Sequence, residues 1–351
     1  MKRSLKIASA FIGIIVGAGF ASGQEILQYF TSFGYWGIAG VILSAILFAY
    51  LGKVLTGLGS RLQTVSHEEV VFRIGGRILG RIIDYTLIIT LFGILVVMVA
   101  GAGSIFSQQF GLSPVTGRIT ITVLIIATIM LNVKKVIAII GSITPFLIVM
   151  VVGIAAYSLA TMDASFSELN PVAKEQLSAG PHWLIAAINY VSLAIALTTA
   201  MALVLGGAEK DEKVAARGGM IGGLVFGVLI LLSYLAIFSK VDVVGTADLP
   251  MLRLADNISP VLGVVMAIVI FSMIYNTAVS LLLSFSARFT TMGTKQFKIF
   301  VIISGLAAFG LSFAGFTQLV NWLYPAIGYL GLLLVGALIL ADVRKVGKTK
   351  K

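Results

Sequence analysis

The sequence predicts an all-α protein that crosses a membrane about ten times. Of its 351 residues, 59% are hydrophobic and only 11% are charged. A typical soluble domain carries about 25% charged residues, so this composition requires lipid as the solvent. The apolar residues also form runs of about the 20 residues that a spanning helix needs. We therefore expect a single transmembrane domain over residues 1–351.

The basic residues predict how the spans are oriented. With the N-terminus inside, all but four of the 25 lysines and arginines fall in inner segments. Positive charge is retained on the cytoplasmic side, so this asymmetry favours ten spans with both termini in the cytoplasm. The exceptions are Arg118, Lys174, Lys240 and Arg253. The ten runs are 5–32, 37–60, 82–110, 118–133, 136–161, 183–206, 218–239, 257–287, 297–314 and 317–341.

The charge distribution and the missing motifs argue against an enzyme and against a nucleic-acid-binding protein. The net charge of +11 lies in short loops between apolar runs, which favours lipid over nucleic acid as the partner. The absence of cysteine excludes disulfides and thiolate metal sites. His67 and His182 are predicted on opposite sides of the membrane, and the chain has no P-loop motif. We expect no enzymatic activity and no cofactor, apart from a possible coupling ion.

The first span is the most informative segment, because glycines and polar residues interrupt it. Its sequence, IASAFIGIIVGAGFASGQEILQYF, has glycines at 13, 17, 19 and 23, followed by Ser22, Gln24 and Glu25. Glycine disfavours a helix by about 1 kcal/mol relative to alanine, so the GAGFASG run can unwind. Unwound backbone in a membrane is tolerated where it lines a cavity. Close helix packing through GxxxG spacing is the alternative explanation.

Glu25 is the only carboxylate predicted well inside the membrane. It lies about seven residues from the outer end of its span, which corresponds to a depth of roughly 10 Å. An acid at this depth is a functional candidate that can bind a proton, a cation or a substrate amine. Alternatively, its side chain reaches the outer surface or pairs with a neighbouring hydroxyl or amide group.

Two later spans carry polar side chains near their middle. The sixth contains Asn189, Tyr190 and Ser192 but no central glycine. The eighth places Asn276, Thr277 and Ser280 largely on one helical face. Oxygen ligands on one face suit Na⁺, and interhelical hydrogen bonding is the competing interpretation.

Ten spans, a glycine-interrupted first helix and a polar eighth helix resemble the LeuT fold of the APC superfamily. The GAGFASGQEI stretch is similar to the bacterial YkvI-type membrane protein family. The resemblance implies a location in the bacterial cell membrane. It also implies a five-plus-five inverted repeat (about 5–161 and 183–341) with discontinuous first and sixth helices.

The resemblance also implies a central site at the first and sixth spans. Gly17, Ala18 and Gly19 would offer N–H groups to a substrate carboxylate, and Gly13 and Val16 would offer carbonyl groups to Na⁺. Phe20 occupies the position where sodium-dependent relatives often carry the asparagine of a second sodium site. The expected substrate-binding set is Gly17, Ala18, Gly19, Phe20, Ser22, Gln24, Glu25, Asn189, Tyr190 and Ser192. The expected Na⁺ set is Gly13, Val16, Asn276, Thr277 and Ser280.

The function that these features favour is secondary active transport. We expect symport or exchange of a small zwitterionic solute, an amino acid or a derivative, coupled to Na⁺ or H⁺ by alternating access. A ligand-sensing receptor subunit of the same fold and a channel are the alternatives. The expected partners are a small molecule and membrane lipid, and the sequence leaves the oligomeric state open.

Overall fold

A computed structural model describes residues 2–64, 67–131 and 143–346, and this part of the chain is helical without any β-strand. The first predicted span consists of three short helices: α1 (Lys2–Ile15), α2 (Ala18–Ser22) and α3 (Gln24–Tyr29). The remaining helices are α4 (Trp36–Leu62), α5 (His67–Phe110), α6 (Pro114–Met130), α7 (Thr144–Ala160), α8 (Phe166–Lys174), α9 (Trp183–Gly207), α10 (Glu212–Phe238), α11 (Val241–Val244), α12 (Pro250–Ile258), α13 (Pro260–Phe289), α14 (Lys295–Leu311) and α15 (Phe316–Val343).

The chain is a multi-pass membrane protein. Within the described residues, seven helical stretches are long and apolar enough to span a bilayer: Trp36–Leu62, Gly80–Phe110, Trp183–Gly207, Glu212–Phe238, Pro260–Phe289, Lys295–Ala314 and Phe316–Val343. The other three predicted spans correspond to the divided first span and to the shorter α6 and α7. Their crossing, and hence the count of ten, stays a prediction. The predicted turn at Lys134 and Lys135 lies outside the described residues.

The core forms where α4, α9 and α10 pack together and α1 joins them. Ile7, Phe11 and Ile15 recur every four residues along α1 and are buried, as is the adjacent Ala8. Glycine allows the backbones of α4 and α10 to touch, because a Cβ at Gly219 would lie 2.1 Å from the carbonyl oxygen of Gly52. This close packing holds the end of α1 at the centre of the molecule.

The expectation of a discontinuous sixth helix is wrong, because α9 runs unbroken from Trp183 to Gly207. Its only glycines are at the C-terminal end, so nothing in its interior favours unwinding. The Thr198 and Thr199 hydroxyls donate to the carbonyl groups of Ala194 and Ile195 (2.8 and 2.6 Å) within a continuous helix. Of the two spans that were expected to be discontinuous, only the first is broken.

Candidate functional site

The first helix break separates α1 from α2 at Val16 and Gly17. The Val16 N–H donates to the Ile12 carbonyl oxygen (2.9 Å), and the next helix begins its ladder with Ala21 N–H donating to Gly17 (3.1 Å). Gly17 itself is extended, with φ −100° and ψ 178°. Among the described residues, neither the Val16 carbonyl nor the Gly17 N–H has a backbone partner. The break therefore leaves an acceptor and a donor available near the middle of the bundle.

A second break at Gly23 separates α2 from α3. Gly23 has φ +81°, which glycine adopts without strain, and its N–H donates to Phe20 (3.1 Å). The Ser22 hydroxyl donates to the Gly19 carbonyl (2.6 Å) and accepts from the Gln24 N–H (3.1 Å). Ser22 thus stabilises the backbone turn, and it does not line the cavity described next.

The first break faces a cavity of about 420 Å³. This volume falls within the usual range for small-molecule sites. Of the predicted substrate-binding residues, the cavity is lined by Gly17, Ala18, Gly19, Phe20, Glu25 and Tyr190. All five residues expected to bind sodium also line it: Gly13, Val16, Asn276, Thr277 and Ser280. The structure therefore brings most of the predicted site residues around one space.

Glu25 lies at the buried end of this cavity, against the backbone of α2. A Cβ built on Gly19 would lie 1.7 Å from Glu25 Oε1, so the carboxyl group occupies the space that the missing side chain leaves. The Tyr190 side chain lines the same end of the cavity, and the Tyr324 hydroxyl lies 3.2 Å from the same built Cβ. The Glu25 residue is 8% exposed. Among the described residues lining the cavity, it is the only one with a charged side chain.

One residue at the predicted sodium positions has a side-chain oxygen atom without a hydrogen-bond partner. The Asn276 Oδ1 atom is buried without a hydrogen-bond partner. In contrast, the Ser280 hydroxyl donates to the Asn276 carbonyl oxygen (2.9 Å). A buried acceptor without a partner destabilises a protein unless a ligand or water satisfies it. Together with the Val16 carbonyl, this face of α13 provides the hard oxygen atoms that a cation prefers.

Besides Ser22, three more of the predicted substrate-binding residues lie outside the cavity lining. Asn189 accepts from the Tyr29 hydroxyl (3.2 Å) and donates to the Pro325 carbonyl (2.9 Å). Ser192 donates to the Gly328 carbonyl (2.7 Å), so both residues join α9 to α15. Gln24, with its amide oriented to donate, reaches the carbonyl oxygens of Ala247 and Asp248 (3.3 and 3.2 Å). These side chains hold helices and loops together around the cavity.

The cavity extends from the break toward the end of the bundle where the chain begins. Its outermost lining includes Met201, Ser280 and Ser284, which lie in the later halves of α9 and α13 and are exposed. Glu25 and Tyr190 lie at the opposite, buried end. If the termini are cytoplasmic, as the basic residues predict, this conformation faces inward.

A polar layer closes the other end of the cavity. Asp248 accepts hydrogen bonds from Ser104 (2.7 Å) and Thr317 (2.6 Å). Gln28 donates to the Thr317 carbonyl (3.2 Å), and its own carbonyl accepts from the Ala179 N–H (2.9 Å). The layer therefore joins α3, α5, α15 and two loops on the side opposite to the cavity mouth.

Comparison with known proteins supports the fold. No family model matches the chain. It is 28% identical to the uncharacterized membrane protein YkvI of Bacillus subtilis, over 95% of this chain and 94% of that protein. It is 27% identical to the uncharacterized protein YyaD of the same organism, over 97% of this chain and 98% of that protein.

The similar solved structures are transporters, not enzymes. MhsT in complex with L-phenylalanine matches with a TM-score of 0.64 and 17% identity, over 98% of this chain and 89% of that chain. The inward-facing conformation of Mhp1 matches with a TM-score of 0.66 and 14% identity, over 98% and 77%. A manganese transporter of Eremococcus coleocola matches at 0.60 and 14%, over 96% and 77%. The chain therefore has the fold of LeuT-type secondary transporters.

Sequence reasoning missed several residues that line the cavity. Tyr324 lies at its buried end and Phe226 along its wall, and both come from helices that showed no unusual polar pattern. Thr198 also lines the cavity, and its hydroxyl donates to the Ala194 carbonyl group of its own helix. One local signal could have identified Tyr324: it is a tyrosine within a membrane span, directly before Pro325.

Proposed function

We propose that the protein is a secondary active transporter that couples Na⁺ or H⁺ to the movement of a small zwitterionic solute, such as an amino acid or a derivative. The observation that carries the proposal is the break between α1 and α2, which faces a cavity of about 420 Å³. Transporters of this architecture bind solutes and ions at discontinuous helices near the middle of the membrane.

The polar groups at the break support the choice of a zwitterion. The unpartnered Gly17 N–H is a donor for a carboxylate, and the Glu25 carboxyl group, which lies against α2 at Gly19, can receive an ammonium group. Both lie beside an apolar wall that suits a hydrocarbon side chain. The fold itself does not determine the solute, since its neighbours include a complex with L-phenylalanine and a manganese transporter.

The coupling ion we favour is Na⁺, with H⁺ as the second possibility. The Val16 carbonyl and Asn276 Oδ1 are unpartnered acceptors, and Thr277 lines the same cavity. No dedicated cofactor is needed for this mechanism. In alternating access, the Asp248 layer would open while the mouth near Ser284 closes. We further propose that the termini are cytoplasmic and that the protein resides in the bacterial cell membrane.

Reconstitution into proteoliposomes tests this function. Uptake of a mixture of radiolabelled amino acids is measured with an inward Na⁺ gradient, with an inward proton gradient and with neither, against protein-free liposomes. We expect saturable accumulation that one of the gradients drives and that an ionophore for the same ion abolishes. Absence of accumulation under both gradients would contradict the proposal. Ligand binding without flux would identify a receptor instead, and unsaturable conductance would identify a channel.

A further inference from the structure

The central cavity divides into a charged end and an apolar body. Glu25, Tyr190 and Tyr324 lie together at the buried end. Much of the remaining wall is hydrocarbon, from Leu91, Ile94, Met98, Leu193, Leu197 and Met273. A ligand that fills this space must therefore match one negative group at one end and apolar side chains along its length.

The charge at the buried end has no internal partner. No lysine, arginine or histidine is among the described residues that line the cavity, and Glu25 takes part in none of the ion pairs found in the described part of the chain. The groups near its carboxyl group are the phenols of Tyr29, Tyr190 and Tyr324. Phenols stabilise a carboxylate by hydrogen bonding but supply no positive charge. An intramembrane carboxylate without a cation is unfavourable, so a bound cation has much to gain here.

The backbone of α2 determines where the Glu25 carboxyl group lies. Because Gly19 has no side chain, the carboxyl group lies against the α2 backbone, next to the break. The Gly13 and Asn276 positions assigned to Na⁺ lie in the part of the cavity formed by α1 and α13. Glu25, on α3, borders a different part of the lining, against α2.

We propose that the transported solute carries a protonated primary amine that pairs with the Glu25 carboxylate, beside the Tyr190 and Tyr324 hydroxyls. Its hydrocarbon portion lies along Leu193, Leu197 and Met273. This inference rests on the proposed function, and it narrows the zwitterionic solute to one with a hydrophobic side chain that is recognised through its amine. The amine is the essential group, and a carboxylate on the solute is secondary.

Three compounds with the same hydrocarbon body test which charged group is recognised. Leucine has both groups, 3-methylbutylamine lacks the carboxylate, and 4-methylpentanoate lacks the amine. Each is titrated against the purified full-length protein at neutral pH, with thermal unfolding as the measure of binding, because a ligand of the native state raises its apparent stability. We expect leucine and the amine to bind at least tenfold more tightly than the acid. Equal or tighter binding of the acid, or no binding by any of the three, would overturn the proposal.

Variants then test whether Glu25 is the partner. Glu25→Gln should weaken binding of 3-methylbutylamine at least tenfold. Glu175→Gln, an exposed glutamate in an outer loop, is the matched control and should leave binding unchanged. Gly19→Ala should also weaken amine binding, because the new Cβ displaces the Glu25 carboxyl group. Undiminished amine binding by Glu25→Gln would contradict the assignment. If that variant does not fold, the comparison of the three compounds on the unmodified protein still decides.

Binding and flux separate this inference from the transport proposal. Leucine that binds through Glu25 but is not accumulated by proteoliposomes contradicts transport and leaves the amine site intact. Leucine that is accumulated equally well by the Glu25→Gln variant and the unmodified protein supports transport and refutes the amine site.

Discussion

The Thr317 hydroxyl donates a hydrogen bond of 2.6 Å to the Asp248 carboxylate, which joins the beginning of α15 to the loop before α12. Ser104 at the end of α5 donates to the other oxygen of the same carboxylate (2.7 Å). Asp248 is therefore the point at which three parts of the chain meet above the cavity. The strength of this contact should determine how often the closed end opens.

Asp248→Ala should increase opening on this side. Hydrogen bonds to charged groups contribute about 1.5–3 kcal/mol each, so losing two should change the open population at least tenfold. The natural chain has no cysteine, which makes a single introduced thiol unique. A thiol at Ala18, in the cavity wall, can be labelled with an impermeant maleimide. The reagent is applied to the side of the membrane on which Asp248 lies, in vesicles of known orientation. We expect at least tenfold faster labelling when Asp248 is changed.

Asp242→Ala provides the control for this experiment. Asp242 is an exposed acid in the same region between α10 and α12, and its removal should leave the labelling rate unchanged. Equal labelling rates for the two alanine variants would refute the role of Asp248 in closure.

Amine binding should depend on pH through Glu25. The ionised carboxylate attracts an ammonium group and the protonated carboxyl group does not, so binding of 3-methylbutylamine should weaken as pH falls. Tyrosines and aliphatic amines ordinarily titrate near pH 10, so Tyr29, Tyr190, Tyr324 and the ligand keep their charge states below pH 8. Affinity measured between pH 5 and pH 8 should rise with pH in the unmodified protein and stay flat in Glu25→Gln. A persistent rise in the variant would assign the titration to another group.

Thr277→Ala should raise the Na⁺ concentration needed for half-maximal uptake. Removing one oxygen ligand weakens a site for a hard cation, so we expect a shift of about tenfold, corresponding to about 1.4 kcal/mol. Ser272→Ala on the same helix is the control, since its hydroxyl donates to Ile268 (2.7 Å) and does not line the cavity. An unchanged Na⁺ requirement in Thr277→Ala would remove this residue from the ion site.

Gly219→Ala should destabilise the protein through the contact between α4 and α10. The added Cβ would lie 2.1 Å from the Gly52 carbonyl oxygen, and overpacking of this kind lowers stability by about 1–3 kcal/mol. Gly336→Ala on α15 is the matched control, because nothing lies within 4 Å of its built Cβ. Thermal unfolding in detergent should occur at a lower temperature for the first variant only. Equal unfolding temperatures for the two variants would indicate that the α4–α10 contact adapts without loss.

The sequence predicted the break in the first span because its causes are local. Glycines at 17, 19 and 23 and the adjacent Ser22 weaken the helix where they occur, whatever surrounds them. The direction of a polar side chain in a continuous helix is different, because it depends on which neighbour packs against it. Asn189 and Ser192 were therefore assigned to the substrate although they bond to α15.

The contribution of distant residues could not be predicted in the same way. Tyr324 comes from the last helix and reaches Gly19 only after the whole bundle has assembled. Gly13, Val16 and Asn276, three of the residues assigned to Na⁺, border one cavity. Occupation of that site by an ion stays a prediction.

The glycine contacts between helices have a mechanical consequence. Gly219 brings α10 against Gly52 of α4, and Gly206 brings α9 against the Thr56 carbonyl oxygen of the same helix (2.2 Å from the built Cβ). Backbones that touch directly have little compliant side-chain material between them. We therefore expect α4, α9 and α10 to move as one rigid unit when the break in the first span changes conformation, with little deformation between them.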